Sequence, residues 1–190
     1  MLIKHRGSGQ KNNFNFSILI IFTTYILGLT YGYFTFQPGT QLPNYISGST
    51  PSFNFFFILL NNLFVTLIII FSGFISFGLL PIILTFREAY HLSIGLQQLA
   101  YQKGIPYIKL FCIGILPHGI FEIPAFILSC TLGFYLGLKL FKKLPKLDIK
   151  YSLQELSYFL EIYHYNVSPL LLWAGILEIH LTPFLILNFL

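Results

Sequence analysis

The run LPHGIFEIPA, residues 116–125, sets Glu122 four residues after His118. That spacing places an imidazole and a carboxylate on one face of a helix. Such a pair can pass a proton or, given a third ligand, hold a divalent metal such as zinc. Glu88 and His91 stand three apart, again on one face, with Arg87 beside them. Glu178 and His180 are two apart and point to nearly opposite sides of a regular helix. They cannot ligate one metal together without a distortion. Glu178 instead shares a face with Thr182, just ahead of Pro183. Asn61 and Asn62 add two adjacent amides.

Two readings of these residues compete. In the first, Glu88, His91, His118, Glu122 and Glu178 converge between helices. His118, Glu122 and Glu178 would then be catalytic acid and base groups, or the ligands of a divalent metal. In the second, Arg87 neutralises Glu88, and the other carboxylates are protonated or hydrogen-bonded. The network, with His91, Asn61, Asn62 and His180, then fixes helix packing. Familiar enzyme signatures are missing. The single Asp, Asp148, excludes a two-aspartate protease, and there is no H-E-x-x-H, G-x-S-x-G or Walker A run.

The elements that must position these groups follow from composition. Of 190 residues, 55% are hydrophobic and 9% charged, against roughly 25% charged in a soluble domain. So few charges cannot clothe a soluble globule, and 22 Phe and 12 Tyr exclude disorder. The chain is an integral membrane protein, and its ionisable groups within spans are costly there and mark candidate functional positions. The net charge of +5 does not point to nucleic acid, because the basic residues cluster beside apolar runs. Lys4, Arg6 and Lys11 precede the first run; Lys139, Lys142, Lys143, Lys146 and Lys150 crowd one connection. Such clusters mark the cytoplasmic side. Cys112 and Cys130, about 27 Å apart on one helix, read as buried free thiols.

The expected architecture is all-α, a single polytopic bundle over residues 14–190 behind a basic cytoplasmic stretch, residues 1–13. Apolar runs cover about 14–36, 53–77, 105–140 and 167–190. The loop 37–52 has no charge and should face outward. The run 105–140 has 36 residues, about 54 Å as one helix against a hydrocarbon core of about 30 Å. A broken helix at Pro117, Gly119 and Pro124 is expected. With both basic clusters inside, an even number of crossings must separate them. The mixed segment 78–100 then becomes a fourth span, giving five in all, N-terminus cytoplasmic and C-terminus extracytoplasmic in the cell membrane. The alternative makes 105–138 a re-entrant hairpin. Leu153, Leu156, Leu160 and Tyr163 recur at helical spacing, so an amphipathic interfacial helix is expected over about 150–165; the alternative is a helix that extends the last span into the cytoplasm. Gly28–Gly32 and Gly133–Gly137 are GxxxG pairs that permit close helix packing.

The motif at Leu116, Pro117, His118, Gly119, Glu122, Pro124 and Ala125 resembles the signature of the stage II sporulation protein M family. Residues 57–79, with Asn61 and Asn62, resemble that family's Asn-bearing span. Residues 174–186, with Glu178, Thr182 and Pro183, resemble its closing span. The resemblance implies a multi-pass protein of about five spans working beside other membrane proteins. The namesakes act in endospore engulfment with peptidoglycan-degrading partners. The full PHGxxExPA motif and a short first loop look more like a wider branch. Some of its members are similar to proteins encoded with circular bacteriocins, implicated in peptide maturation, export or immunity. A composition with four Ala and many Ile, Asn and Lys suits an AT-rich Gram-positive bacterium. The functional expectation is an accessory membrane protein in an assembly that handles a peptide or remodels the wall. The alternatives are an intramembrane metal-dependent hydrolase or peptide ligase, and a small transporter or channel.

Overall fold

The computed structural model describes residues 8–38, 54–142 and 149–190. These residues are almost entirely helical. α1 spans Ser8–Thr35, α2 Phe55–Ile75 and α3 Leu79–Lys103. α4, Tyr107–Leu110, passes through a π-helical turn, Phe111–Ile115, into α5, Leu116–Lys142. α6, Ile149–Ile162, passes through a second π turn, Tyr163–Val167, into α7, Ser168–Phe189. Four stretches are long and apolar enough to cross a membrane: Asn12–Thr35, Phe55–Ile75, Tyr107–Lys142 and Glu155–Phe189. The helices begin and end where local chemistry directs. The Asn54 side chain accepts from the Phe56 amide at 3.3 Å and caps α2. Gly104 closes α3 in the left-handed conformation, which costs glycine nothing.

One expectation needs correction. The helix does not break at Pro117, Gly119 and Pro124. Helical bonding runs on from Tyr107 to Lys142, and the strain is taken up one turn earlier, where the Leu116 amide bonds to the Phe111 carbonyl. A proline strikes the carbonyl four residues before it; the wide π turn lies over that position for Pro117. The stretch 150–165 is covered by α6, which continues into α7 through the second π turn, with Phe159, Ile162 and Tyr163 buried. The basic stretch 1–7, the loop over 39–53 and residues 143–148 lie outside the described residues.

Pairwise contacts give the direction of each helix. Gly28 meets Phe86 and Gly32 meets Tyr90, so α1 and α3 run the same way. The rings of Phe14 and Tyr135, then of Tyr25 and Phe126, pair along α1 and α5 in opposite order. α5 is therefore antiparallel to α1. Ile69, Ile70 and Gly73 of α2 meet Gly133 of α5, and Asn62 meets Glu122, so α2 runs with α5. α7 opposes α5: Tyr163 packs in the cluster with Tyr135, while Thr182 meets His118.

α5 is the central helix. Every residue from Ser129 to Gly137 on it is buried, a pattern that marks a helix covered on all sides. Backbone meets backbone where it crosses α2. A methyl on Gly73 would collide with the Gly133 carbonyl, and one on Gly137 with the amide of Gly78. Gly78 itself has φ 94° in the turn between α2 and α3. Both GxxxG pairs thus serve packing within the chain: Gly28–Gly32 seats α3 on α1, and Gly133–Gly137 seats α2 on α5. Near the lysine-bearing end, Phe14, Ile70, Leu132, Leu136, Phe159, Val167 and Leu171 form the main apolar core. There Lys139 Nζ pairs with Glu155 at 2.7 Å, and both side chains are largely buried.

Candidate functional site

Most hydroxyls in the bundle are satisfied locally. Ser17, Thr24, Thr30, Thr35, Thr66, Thr85, Ser129 and Thr131 each donate to the carbonyl four residues back. Such bonds hide a polar group from lipid without a partner helix. Asn62, Glu122 and His118 of the middle spans find their partners across helices instead.

They meet at a cavity of about 220 Å³ between α1, α2, α3, α5 and α7. Its polar lining is Tyr25, Asn61, Asn62, Thr66, Glu88, His118 and Glu122, with Val65, Leu92, Ile115, Ile123, Phe126 and Leu171 as apolar wall. Asn62 Nδ2 donates to Glu122 Oε1 at 3.2 Å. His118 Nε2 lies 3.9 Å from Glu122 Oε2, beyond hydrogen-bond length. His118 Nδ1 shares a hydrogen bond with Thr182 Oγ1 at 3.2 Å, and both residues are buried. At the neighbouring α2–α7 junction the Tyr163 hydroxyl donates to the Leu63 carbonyl at 2.9 Å and lies 3.0 Å from Thr66 Oγ1. Both π turns adjoin this region. The first contributes Ile115 to the wall, and the second carries Tyr163. π turns recur where helices serve function.

Of the five groups expected to converge, Glu88, His118 and Glu122 line this one cavity, beside Asn61 and Asn62. Glu178 is not among its lining residues; it stands one turn before Thr182, the residue that holds His118. His91 is exposed and packs edge-on to Tyr90, and His180 is exposed as well. Arg87 does approach Glu88, at 3.6 Å, with both side chains more than half exposed. Among the described residues no three His, Cys, Asp or Glu side chains gather as a metal site requires. His118, Glu122 and Glu178 therefore do not form the expected ligand set. Cys130 is buried, but Cys112 is exposed, contrary to expectation. Tyr25, Thr66 and Tyr163 were not anticipated. Their sequence signal is slight, since each is one hydroxyl in a long apolar run.

The cavity holds two carboxylates, two amides, an imidazole and a phenol, and among the described residues neither Lys nor Arg lines it. This donor set is suited to a cation or an ammonium group. The His118–Glu122 pair, steadied by Thr182 and Asn62, can also hold or relay a proton. Thr182 orients the imidazole through Nδ1, leaving Nε2 directed toward Glu122.

An uncharacterized protein of Methanocaldococcus jannaschii is 28% identical over 172 residues, covering 87% of this chain and 93% of that protein. No solved structure matches. The model of the family described as Stage II sporulation protein M matches residues 14–183, the whole bundle from the start of the first apolar run to the proline after Thr182. The chain is a multi-pass membrane protein and belongs to that family.

Proposed function

We propose that the protein is a transport component of a membrane assembly, and that its cavity receives a cationic group on its way through the bilayer. The observation that carries this reading is the cavity itself. Among the described residues no Lys or Arg stands with its carboxylates and amides, and it lies beside Tyr25, near the middle of α1. A polar site at that depth, bounded by several helices, is the placement that transporters use. The setting that fits the family is peptide maturation or export, as around a bacteriocin, or cell-wall remodelling in sporulation. In either, other membrane proteins and a peptide are the partners.

The same reading takes α3 as a fifth span, with the N-terminus cytoplasmic and the C-terminus outside. The support is its parallel course along α1, from Gly28 at Phe86 to Gly32 at Tyr90 and Gln97. Two helices in such contact share one depth. A second reading is acid–base chemistry on a peptide by His118 and Glu122, favoured by the hydrogen bonds from Thr182 and Asn62 that hold the pair.

The test uses purified protein in nanodiscs and liposomes, with sodium, methylammonium and a lysine-bearing peptide as probes. Saturable binding or uptake of at least one, lost in Glu122→Gln, is expected. No saturable binding of any probe to wild type would overturn the transport reading. Peptide cleavage or ligation that depends on His118 would favour the second.

A further inference from the structure

The outward face of α3 poses a problem that the cavity does not solve. Arg87 and Glu88 sit 3.6 Å apart with side chains 60% and 54% exposed. His91, one turn on, is exposed too, as is Ile83, one turn before. Phe86 touches Gly28, seven residues inside the end of α1 at Thr35, or about 10 Å along the helix. With α3 crossing the bilayer beside α1, as proposed above, the charged pair lies within the depth of the hydrocarbon, where lipid tails offer neither charge nor hydrogen bond. Glu88 belongs at once to this face and to the cavity, and Asn61 and Val65 on the opposite rim are exposed as well. The cavity thus opens sideways, and the ion pair stands at its mouth.

The chemistry of the face selects what covers it. This face carries a cation and an anion on adjacent residues and has no net charge. Turned about a twofold axis it complements itself: Arg87 of one copy meets Glu88 of the other, and the reverse. We infer that α3 docks against α3 of a second copy of this chain. The pairing closes the mouth between α2 and α3, brings a second Arg87 to Glu88, and sets the two cavities face to face across the axis. The inference rests on α3 crossing beside α1, and not on which ligand the cavity takes.

Charge reversal tests it. Two differently labelled copies are placed in lipid bilayers, and energy transfer between them is measured against dilution with lipid. Wild type should associate. Arg87→Glu alone and Glu88→Arg alone should each lose association at least tenfold, because each face then repels its own copy. A mixture of the two variants should recover it, since the faces are now complementary. A mixed pair that associates no better than either variant alone overturns the proposal, as does wild type that stays monomeric at every dilution. Where neither reversal reaches the membrane, Ile83→Cys in a Cys112→Ser background serves in its place. Oxidation should cross-link it between copies, and failure to do so overturns the proposal. Recovery of the chain with another membrane protein, without transfer between copies, does the same.

Discussion

Asn62 on α2 donates a hydrogen bond across 3.2 Å to Glu122 on α5, sixty residues away in the chain. It joins the two helices that also meet backbone to backbone at Gly73 and Gly133. The glycines set how near the helices come, and the amide sets how the carboxylate points. Removing the amide should therefore unsettle Glu122 more than it unsettles the fold.

Asn62→Leu leaves one oxygen of a half-buried carboxylate without its donor. A cost of about 1–3 kcal/mol is expected, read as a lowered unfolding temperature in detergent. Glu122→Gln keeps the shape and an acceptor for Asn62. It should retain the wild-type melting temperature while abolishing cation binding. A melting shift as large as that of Asn62→Leu would show that Glu122 is structural.

The α2–α5 crossing depends on absent side chains. Gly73→Leu or Gly133→Leu drives carbon into the facing backbone, so folded protein should be lost on extraction. Gly95 offers the control, because a methyl there meets nothing within 4 Å. Gly95→Ala should be neutral or stabilise by up to about 1 kcal/mol through helix propensity. Size-exclusion profiles after mild detergent extraction separate the three variants.

Lys139 and Glu155 form a 2.7 Å pair whose side chains are only 14% and 13% exposed. Breaking a buried pair from one side strands the other charge, at about 3–5 kcal/mol. Glu155→Ala should therefore lower stability strongly. The double change Lys139→Met with Glu155→Met should recover most of it. Thermal unfolding of the singles and the double gives the coupling directly.

Topology is tested by side-specific labelling in a Cys112→Ser background. Gln102 and Lys142 are exposed, near the ends of α3 and α5. If α3 crosses beside α1, Gln102→Cys should react with a membrane-impermeant maleimide in intact cells, and Lys142→Cys only after lysis. Equal protection of both would place the end of α3 on the cytoplasmic side and favour the re-entrant alternative.

Much of the architecture is legible in the chain because hydropathy and helical spacing are local properties. The apolar runs 53–77 and 105–140 correspond closely to Phe55–Ile75 and Tyr107–Lys142. Even the mixed segment 78–100 is one helix, Leu79–Lys103. His118 and Glu122 share a face because four residues nearly complete a turn, and no partner is needed for that. The absence of a break at Pro117 is not legible, because a π turn absorbs the proline at its neighbours, a response that depends on how the flanking turns are packed. Which polar groups meet is legible only in part. It turns on the rotation of each helix and on what it lies against. Glu88 reaches the cavity and His91 does not, although they are three residues apart, because α3 presents Glu88 and Leu92 to the cavity. Glu178, equal to Glu122 as a candidate by type and depth, lies outside the lining while Thr182 one turn later seizes His118. Sequence alone determined that this chain lives in the membrane and carries few charges there, since both follow from composition along the chain. Only the tertiary structure decided which of those charges share a cavity and which face outward, since that depends on close approach between helices far apart in the chain.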